Sequence, residues 1–479
     1  MIRSLLSLYS PKYPRGLVYM LQASEYQSLP YLSWWWRTKD YSRVMHRRSL
    51  DRTKAARLLV AAMYMGMGVQ IAVAVACIIA GAYGRLDGGI YFGLGVLLLT
   101  PIIWAHIIVL PIVLVRLIIQ RPRQAALIKE SRQIFAKHKG LKIAIAGSYG
   151  KTSMKELLVT VLSQKLNVAA TPGNKNVTVS HAYFAKRLTG QEDVVIIEYG
   201  EGAPGDVELF SAYTQPTHAV ITGIAPAHLD QYKTVSAAAK DIFSVASAVP
   251  KGNTYVNIST ELTREFAPEG IVGFDSKQAL GYSITGINMT IQGTSFALTK
   301  DKTKIHFKSG LVGLHQVPVL AFVAAFALQQ GLTPQQVQAG MEATKPYEHR
   351  MQPYPLAGAW VIDDTYNGNL EGIRAGTELL SQLSAKRKIY VTPGLVDQGH
   401  EAQRVHQEIG QLITKASPDI VVLMRNSTTA AIQKGLELGG YRGNVRIEDD
   451  PLEFYQNLDQ FVAQGDLVLM QNDWTDNYA

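Results

Sequence analysis

A glycine-framed turn that follows a short apolar run constrains this chain more than any other feature. Residues 143–156 read IAIAGSYGKTSMKE, and a strand predicted over residues 142–146 leads directly into the turn. A helix predicted over residues 154–166 follows, so its free N–H groups and its positive dipole end point back at the turn. This order of strand, turn, Lys-Thr pair and helix is typical of a phosphate-binding site.

The residue types in the turn suit phosphate chemistry. Glycines let the backbone approach phosphate oxygens, a lysine neutralises their charge, and a threonine hydroxyl can complete a Mg²⁺ shell. The usual P-loop has four residues between its glycines, whereas this turn has only Ser148 and Tyr149. We therefore predict a shortened phosphate cradle. Its residues are Gly147, Ser148, Gly150, Lys151, Thr152 and Ser153.

Length, cysteine content and charge narrow the class of protein. A chain of 479 residues is too long for one core, so two or three domains are expected. A single cysteine excludes a disulfide framework and a cysteine metal cluster, and it fits a reducing compartment. The formal net charge of +9 indicates either nucleic acid or an anionic membrane as a partner.

The position of this charge favours the membrane. Basic residues concentrate in residues 1–57, around Trp34, Trp35 and Trp36, and two uncharged stretches follow at residues 58–83 and 89–115. Each stretch exceeds the roughly 20 residues that span a hydrocarbon core, so we predict transmembrane helices at about residues 58–83 and 89–119. Trp and Arg side chains before them suit an anionic bilayer surface. We therefore expect no nucleic-acid partner.

Charges that flank the two stretches predict their orientation. Arg85 and Asp87 lie in the short connection, whereas Arg116, Arg121 and Arg123 follow the second stretch. The positive-inside rule places both ends of the hairpin in the cytoplasm. The prediction is a multi-pass protein of the cell membrane whose later domains are cytoplasmic.

From about residue 137 onward, short β-rich runs alternate with helical periods, a pattern typical of a parallel sheet covered by helices. We predict three regions: a basic segment with two membrane helices over residues 1–135, a P-loop ATPase domain over 136–346, and a smaller Rossmann-like α/β domain over 347–479. Strands are predicted at residues 142–146, 194–198, 218–222 and 254–257 in the first α/β domain, and at 359–363, 388–392, 420–423 and 466–470 in the second. Residues 271–307 are predicted to form a β-rich excursion, and 314–330 and 334–341 helices.

Ligands of such sheets bind at the carboxyl ends of the strands, where several polar residues of this chain are expected. Glu198 ends a buried strand and is a predicted Mg²⁺ ligand beside Thr152. His228 follows the next strand and is a second metal-ligand candidate, with Lys240 in the helix after it. Arg350 can reach a γ-phosphate across the domain boundary.

Another polar cluster, at residues 363–369, reads DDTYNGN and follows a predicted strand. Asp364 and Asn367 in it suit hydrogen bonds to ribose or phosphate. The alternative is a turn with helix-capping residues.

These motifs together resemble the Mur ligases, most closely the MurF type. They occur in the order and roughly the spacing of that family, and the likeness runs from about residue 137 to the C-terminus. The motifs are AGSYGKTSMKE, TPGNKN, VVIIEYGEG, IAPAHLD, EHRMQ, DDTYNGN, and TPGLVDQG with a downstream His406.

The resemblance implies an ATP-dependent amide ligase, in which a substrate carboxylate attacks the γ-phosphate and an amine then captures the acyl phosphate. It implies ATP and Mg²⁺ as cofactors, with Lys151, His228, Lys240 and Arg350 as catalytic residues. Nucleotide contacts are expected from the turn and from Arg350, Asp364 and Asn367. Metal contacts are expected from Thr152, Glu198 and His228.

The chain departs from the family pattern at four places. An ungapped reading puts Ile242 where the family has a carbamylated lysine, two positions after Lys240, so either the helix shifts register or the second metal lacks that ligand. Residues 315–319 read HQVPV where the family has HNxxN, and 471–474 read QNDW where MurF has a KGSR-like run. On this interpretation, the predicted membrane hairpin stands where the family has the domain that grips the uridine nucleotide.

We therefore expect a membrane-anchored Mur-type ligase that forms an amide bond on a peptidoglycan precursor at the cytoplasmic face. Its expected partners are peptide or amino-acid substrates, the lipid bilayer and other cell-wall enzymes. Two alternatives stay open at this point: a ligase that resembles poly-γ-glutamate synthase, and a non-catalytic nucleotide-binding scaffold.

Overall fold

The structure is a computed structural model that describes residues 7–472, except for residues 25, 39–49, 52, 174, 227–228, 367, 397 and 399–400. The chain divides into two compact units, residues 1–126 and residues 127–479. We describe each unit by itself.

The first unit is helical. Its elements are α1 (Tyr13–Ala23), α2 (Ser28–Arg37), α3 (Lys54–Ala82), α4 (Gly89–Ile107), α5 (Val109–Val115), a π-helical turn (Arg116–Gln120) and the start of α6 (Arg121–Lys137). Helices α3 and α4 pair closely because glycines allow it: a Cβ on Gly66 would lie 1.9 Å from the Trp104 ring. Helices α1 and α2 bury Leu17, Tyr31 and Trp35 in a small core with residues of α3 and α4.

Two helices of this unit coincide with the predicted membrane spans. Helix α3 covers Lys54–Ala82, and α4 opens a continuous helical stretch over Gly89–Lys137; both are long and apolar enough to cross a bilayer. Only 6% and 17% of their most apolar 18-residue windows are buried. These helices therefore carry extended apolar surface, and their insertion in a membrane stays a prediction.

The second unit opens with a parallel sheet. Its six strands lie in the order β2-β3-β1-β4-β5-β6. Their bounds are β1 (Leu141–Ala146), β2 (Val168–Ala170), β3 (Val194–Glu198), β4 (His218–Ile221), β5 (Thr254–Asn257) and β6 (Val272–Phe274). Strand β1 lies at the centre, between β3 and β4, so the turn that follows it opens at the middle of the carboxyl edge.

Helices cover both faces of this sheet because its central strands are apolar on both sides. They are α7 (Lys151–Leu162), α8 (Thr178–Ala185), α9 (Asp206–Thr214), α10 (Leu229–Tyr232), α11 (Val235–Phe243), a 3₁₀ turn (Ser244–Ala248) and α12 (Glu261–Phe266). One core packs α7 against Ile143 and Ile145, and a second packs α9 and α11 against Ala144 and Ala146.

A four-stranded antiparallel sheet, ordered β10-β9-β8-β7, forms the predicted β-rich excursion. Its strands are β7 (Gln278–Ala279), β8 (Tyr282–Thr290), β9 (Gly293–Lys300) and β10 (Thr303–Ser309). A 3₁₀ turn (Leu314–Gln316) then leads into α13 (Val317–Gln329) and α14 (Pro334–Glu342). Helix α13 is apolar on almost every side, and it is buried in the core shared by the two sheets.

The C-terminal sheet is mixed, in the order β11-β12-β16-β13-β14-β15, with β11 antiparallel to β12 and the other pairs parallel. Its strands are β11 (Gln352–Leu356), β12 (Ala359–Asp364), β13 (Arg387–Thr392), β14 (Ile420–Met424), β15 (Asn444–Glu448) and β16 (Asp466–Gln471). Its helices are α15 (Leu370–Gln382), α16 (Ala402–Ala416), α17 (Thr429–Gly439), α18 (Pro451–Gln456) and α19 (Leu458–Phe461).

The predicted α/β class is confirmed, with a parallel central sheet and a mixed C-terminal sheet, and the eight predicted strands are present within one residue at each end. One predicted helix was placed wrongly. Helix α7 covers Lys151–Leu162 rather than residues 154–166, because Gly150 in the left-handed region caps it and turns follow Leu162.

Candidate functional site

The turn after β1 has a backbone that only glycine adopts easily. Gly147 has φ of 138°, and a Cβ there would lie 2.2 Å from Oγ1 of Thr222, just past the end of β4. Gly150 has φ of 72° and caps the N-terminus of α7. Ser148 donates its N–H to the carbonyl of Gly223 at 2.9 Å. The two glycines therefore let the turn close against β4 and aim the first N–H groups of α7 outward.

Lys151, the first residue of α7, is folded back into the turn. Its Nζ donates to the carbonyl of Gly147 at 2.5 Å and to Oε1 of Glu201 at 2.7 Å. Its side chain is 12% exposed and that of Glu201 is 6% exposed. The lysine predicted to oppose phosphate is thus paired with a carboxylate from the loop after β3.

Thr152 and Glu198, the two predicted metal ligands that the structure describes, lie together. The Thr152 hydroxyl donates to Oε1 of Glu198 at 3.1 Å, and Nδ2 of Asn176 lies 3.5 Å from the same oxygen. They meet because β1 and β3 are parallel neighbours, with Ile145 paired to Glu198. The carboxyl ends of both strands therefore open at one edge of the sheet.

The backbone of Glu198 is fixed from both sides. Its N–H donates to the Thr171 hydroxyl at 3.0 Å, and its carbonyl lies 2.8 Å from Nε2 of buried His181. Burial lowers the pKa of His181 to about 4, so the ring is neutral at pH 7 and donates from Nε2 to this carbonyl. Thr171 opens the TPGNKN motif, which gives that motif a structural role here.

The oxygens at this edge fit a divalent cation. Oε2 of Glu198 is buried; no described residue donates an aligned hydrogen bond to it, and the Lys155 ammonium 3.1 Å away supplies its counter-charge. An ionised carboxylate has about four lone-pair sites, so these oxygens can still accept a further ligand. Carboxylate and hydroxyl oxygens are the ligands that Mg²⁺ prefers. Glu198 and Thr152 are therefore chemically suited to hold Mg²⁺.

Lys155 is a residue of this edge that the sequence did not single out. Its side chain is fully buried, and its Nζ lies 3.1 Å from Oε2 of Glu198 and donates to the carbonyl of Gly173. A Lys-Glu pair in a helix ordinarily indicates a solvated face. The sequence feature that could have identified Lys155 is its spacing from Lys151, because residues four apart lie on the same face of a helix.

A cavity of about 660 Å³ lies between the phosphate turn and the C-terminal domain. Tyr149, Gly150 and Ser153 line it from the first α/β domain, and Arg350 and Asp364 line it from the second. Its size is that of a typical small-molecule site. Of the residues predicted to contact a nucleotide, Gly150, Ser153, Arg350 and Asp364 line this cavity, whereas Lys151 and Thr152 are not among its lining residues.

Arg350 is held over an aromatic ring in this cavity. Its guanidinium lies 4.4 Å from the ring centroid of Tyr366, within cation–π distance. The neighbouring His349 bonds Asp363 through Nδ1 at 2.7 Å, which anchors the EHRMQ motif to the end of β12. The guanidinium of Arg350 is therefore presented to the cavity by a fixed segment.

Asp364 is partly buried at the end of β12. Its carboxylate accepts from the N–H of Met351 at 3.1 Å and from Nε2 of Gln471 at 2.8 Å. Burial raises the pKa of Asp364 to about 7, although these bonds and the charge of Arg350 oppose the rise. Close to pH 7 the carboxyl therefore exchanges between a charged acceptor and a neutral donor.

Gln471, which stands where the resemblance expects a KGSR-like run, contacts the cavity residue Asp364. Its amide donates to Asp364 and to the carbonyl of Gly372 at 2.9 Å, and its Oε1 accepts from the Tyr390 hydroxyl at 3.0 Å. All the polar atoms of this buried side chain thus have partners. The altered C-terminal run still supports the cavity, through an amide rather than a cation.

The segment that replaces HNxxN lines the same cavity, with His315, Gln316 and Val319 among its residues. Gln316 Nε2 lies 2.9 Å from Nε2 of His315, and burial lowers the pKa of His315 to about 4. The imidazole is therefore neutral and accepts this hydrogen bond. His406 is structural: its Nε2 accepts the N–H of Leu395 at 2.9 Å.

The remaining predicted residues are placed less favourably or are not described. Lys240 is exposed on α11, whereas its neighbour Asp241 is buried and accepts from the N–H of Gly205 at 3.0 Å and the Tyr232 hydroxyl at 2.7 Å. Ile242 packs in the core. His228 and Asn367 lie outside the described residues, and their roles stay predictions.

Fold and site together define a two-domain α/β protein with a shortened phosphate turn that faces a second α/β domain across a cavity. Residues 145–327 match the Mur ligase middle domain, and residues 349–471 match the Mur ligase glutamate ligase domain. Through these two domains the chain belongs to the Mur ligase family, and its distant homologues are of the MurF type.

Two relatives and one solved structure illustrate the likeness. The chain is 26% identical over 294 residues to UDP-N-acetylmuramoyl-tripeptide–D-alanyl-D-alanine ligase of Escherichia coli, covering 58% of this chain and 63% of that protein. For the ligase of the same name from Mycobacterium bovis, the identity is 29% over 315 residues, and the coverage is 63% and 62%. The chain thus spans a little under two thirds of the length of both relatives.

The crystal structure of MurF ligase from Thermotoga maritima in complex with ADP has a similar fold. Its TM-score is 0.64 at 20% sequence identity, over 73% of this chain and 80% of that one. At this identity the likeness concerns the fold alone.

Proposed function

We propose that this protein is a membrane-anchored, ATP-dependent amide ligase that acts on a peptidoglycan precursor at the cytoplasmic membrane surface. The observation that carries the proposal is the cavity of about 660 Å³, which joins the phosphate turn to Arg350 and Asp364. Ligases of this kind must hold a nucleotide, a carboxylate and an amine together. A cleft between two domains is suited to that task.

ATP is the nucleotide that we place in this cavity. The N–H groups at the start of α7 and the ammonium of Lys151 meet its phosphates, after Lys151 leaves Glu201. Arg350 contributes a second cation from the C-terminal domain, and Asp364 hydrogen-bonds the ribose together with Asn367. The ADP complex of the Thermotoga maritima protein supports this assignment for a chain of the same fold.

Mg²⁺ is held by Thr152 and Glu198, whose oxygens fit it; when bound, it neutralises charge that develops on the transferred phosphoryl group. The resemblance adds His228 as a ligand for a second ion. Lys151 and Arg350 contribute fixed positive charge, which phosphoryl transfer needs more than a strong acid or base. A position inside the cleft reduces the contact of the activated substrate with bulk water, which would hydrolyse it.

The proposed reaction has two steps. A substrate carboxylate oxygen attacks the γ-phosphorus, so the acyl phosphate forms and ADP leaves. An amine nitrogen then attacks the acyl carbon, the amide bond forms, and inorganic phosphate leaves with its electron pair while the nitrogen loses a proton. The curated relatives are named for joining D-alanyl-D-alanine to a UDP-linked tripeptide, and we propose a peptide of this class as the acyl donor.

The anchor is proposed from the first unit. A core helix of a water-soluble domain would be mostly buried, whereas the apolar windows of the two long helices are only 6% and 17% buried. The connection carries Arg85 and Asp87, and clustered arginines follow the second apolar stretch, an arrangement that supports a cytoplasmic location for both ends. A ligase anchored in this way works on substrates at the bilayer surface.

The full chain, purified in detergent, tests the proposal. We expect ATP hydrolysis to be stimulated by a muramyl peptide together with an amine acceptor, in a panel that includes D-alanyl-D-alanine and glutamate. Stimulation by glutamate with a polyglutamate chain would instead favour an elongating ligase. Absence of stimulation by every pair, in protein that binds ATP, would contradict the proposed activity.

A second candidate is a non-catalytic scaffold that binds nucleotide and recruits cell-wall enzymes. The exposure of Lys240 and the Gln471 substitution in the KGSR-like run favour it. Nucleotide binding without any ligation product, measured by mass spectrometry of the panel reactions, is the result this candidate predicts.

A further inference from the structure

Lys155 has no role in the function proposed so far, yet it is the most completely buried charged side chain at the carboxyl edge of the sheet. Its side chain has 0% exposure, beside 2% for Glu198. Taking an ammonium out of water is costly unless its charge and its hydrogen bonds are matched. The contacts that stabilise the buried ammonium of Lys155 therefore indicate its role.

The ammonium joins three segments of the chain. It donates to the carbonyl of Gly173 in the loop after β2, lies 3.1 Å from Oε2 of Glu198 at the end of β3, and lies 3.4 Å from Oε1 of Glu156 on its own helix. The Glu156 side chain is 36% exposed, so that contact reaches solvent. The buried contacts are those with Gly173 and Glu198.

Glu198 is thus held by two residues of α7, one on each oxygen. Thr152 donates to Oε1 at 3.1 Å, and Lys155 faces Oε2 at 3.1 Å. The hydrogen bonds to Thr171 and His181 fix the backbone of Glu198, but they do not restrain the torsion angles of its side chain. The direction of the two oxygens therefore depends on α7, the helix that also carries Lys151.

We propose that Lys155 is a positioning residue, whose buried ammonium fixes the Glu198 carboxylate and the loop at Gly173 for the metal–nucleotide complex. The inference rests on the proposed function, since it assumes that Glu198 meets a nucleotide-bound divalent cation. Without the ammonium, a carboxylate buried this deeply loses its counter-charge and turns toward its other donors. Its oxygens then meet the metal without a fixed geometry.

Direct Mn²⁺ binding to the full chain tests the proposal without reference to turnover. Electron paramagnetic resonance measures free Mn²⁺ in the presence of a non-hydrolysable ATP analogue, for wild type, Lys155→Met, Glu198→Gln and the double variant. We expect Lys155→Met to weaken Mn²⁺ binding by about tenfold or more, as is usual when a partner of a metal ligand is lost. In the Glu198→Gln background, the same change should alter binding by less than about twofold.

Two control variants separate positioning from a general loss of structure. Lys165→Met removes another lysine that donates to a glycine carbonyl, that of Gly331 at 2.7 Å, and it should leave Mn²⁺ binding unchanged. Lys155→Gln keeps a donor for Gly173 without the charge, and it serves if Lys155→Met unfolds. Thermal unfolding of each variant shows whether the chain is intact.

Several results would overturn the inference. Mn²⁺ binding within twofold of wild type in folded Lys155→Met, or tighter binding, would mean that Lys155 does not position the carboxylate. An equal loss in both backgrounds would mean that it acts through something other than Glu198. If wild type itself shows no nucleotide-dependent Mn²⁺ binding, the proposed function fails first, and this inference fails with it.

Discussion

Lys151 and Glu201 form an ion pair of 2.7 Å inside the phosphate turn, with both side chains nearly buried. The ammonium of Lys151 must leave this carboxylate before it can meet a phosphate. Nucleotide binding therefore includes the cost of opening one ion pair, which for a pair this sheltered is at least about 1 kcal/mol.

Glu201→Gln should accordingly bind ATP more tightly. We expect the Kd for ATP to fall by about fivefold, which corresponds to about 1 kcal/mol, because the neutral amide holds Lys151 less strongly. Isothermal titration of the full chain measures this. Glu208→Gln, an exposed acidic residue of α9, is the control and should bind ATP like wild type. Weaker binding in Glu201→Gln would show instead that Glu201 helps to build the nucleotide site.

Lys151→Ala should abolish ATP turnover while leaving the fold and membrane association intact. The ammonium donates to the carbonyl of Gly147 at 2.5 Å and to Glu201 at 2.7 Å, both in polar loops, so the hydrophobic core does not depend on it. We expect kcat/KM to fall by at least about 100-fold, as on removal of one transition-state charge contact. Near-normal turnover in the purified variant would remove the turn from the mechanism.

The raised pKa of Asp364 predicts that the stability of the folded chain depends on pH. Its pKa in the folded chain is about 7, above its ordinary value of 3.8, so the folded state binds more protons than the unfolded state between these values. This contribution to the free energy of unfolding is present at low pH and is lost as pH rises through 7, by at most about 1.4 kcal/mol per pH unit.

Asp364→Asn should remove this dependence, since an amide does not titrate. Urea unfolding of the wild type and the variant between pH 5 and 8 tests it, and the stability difference should shift in favour of the variant as pH rises. Asp275→Asn, at an exposed turn, controls for the general effect of pH. A pH-independent difference between wild type and Asp364→Asn would contradict the raised pKa.

The orientation of the first unit gives a topological prediction. A reporter fused after Ala479 and one placed before Arg37 should be cytoplasmic, and one inserted in the connection at residues 85–88 should be on the opposite side. The reason is the excess of arginine outside the hairpin connection. Cysteine labelling in intact cells and in lysed cells reads out each site. Opposite sides for the two ends would leave a single membrane span.

Periodicity and turn chemistry predicted much of this fold because those signals are local. The strand that ends in Gly147 and the strand that ends in Glu198 were both recognised, and parallel pairing then requires that their carboxyl ends meet. The same reasoning placed Arg350 and Asp364 on the second domain. Ser153, Arg350 and Asp364, three of the side chains that were predicted to meet a nucleotide, line one cavity, and the nucleotide role of the whole set stays a prediction.

What the sequence did not reveal depends on tertiary burial. Lys155 lies in a Lys-Glu pair that is typical of a solvated helix face, and only the loop at Gly173 and the end of β3 bury it. Compared with a KGSR-like run, Gln471 suggests that a functional residue was lost. Its amide nevertheless forms hydrogen bonds with Asp364, the carbonyl of Gly372 and the Tyr390 hydroxyl. Such roles are set by residues far away in the chain.

Lys240 was one candidate for the role of the carbamylated lysine, the alternative being a second metal without that ligand, and its surroundings now sharpen the test. A lysine must be neutral to react with CO₂, and burial or nearby cations are what lower its pKa enough. Lys240 is exposed on α11, and the residue of that helix that bonds to the loop after β3 is Asp241. We therefore expect Lys240→Ala to keep activity within about twofold of wild type, as is usual for an exposed position.

The effect of added bicarbonate on activity tests the same point independently. Activity of the wild type, Lys240→Ala and Lys240→Glu should be the same with and without added bicarbonate, since no carbamate forms at an exposed ammonium. A steep loss in Lys240→Ala, partial recovery on addition of a short carboxylic acid, and higher activity in Lys240→Glu would together restore the carbamate. In that case α11 would have to shift on nucleotide binding, because only a change in register brings Lys240 to the face that Asp241 now occupies.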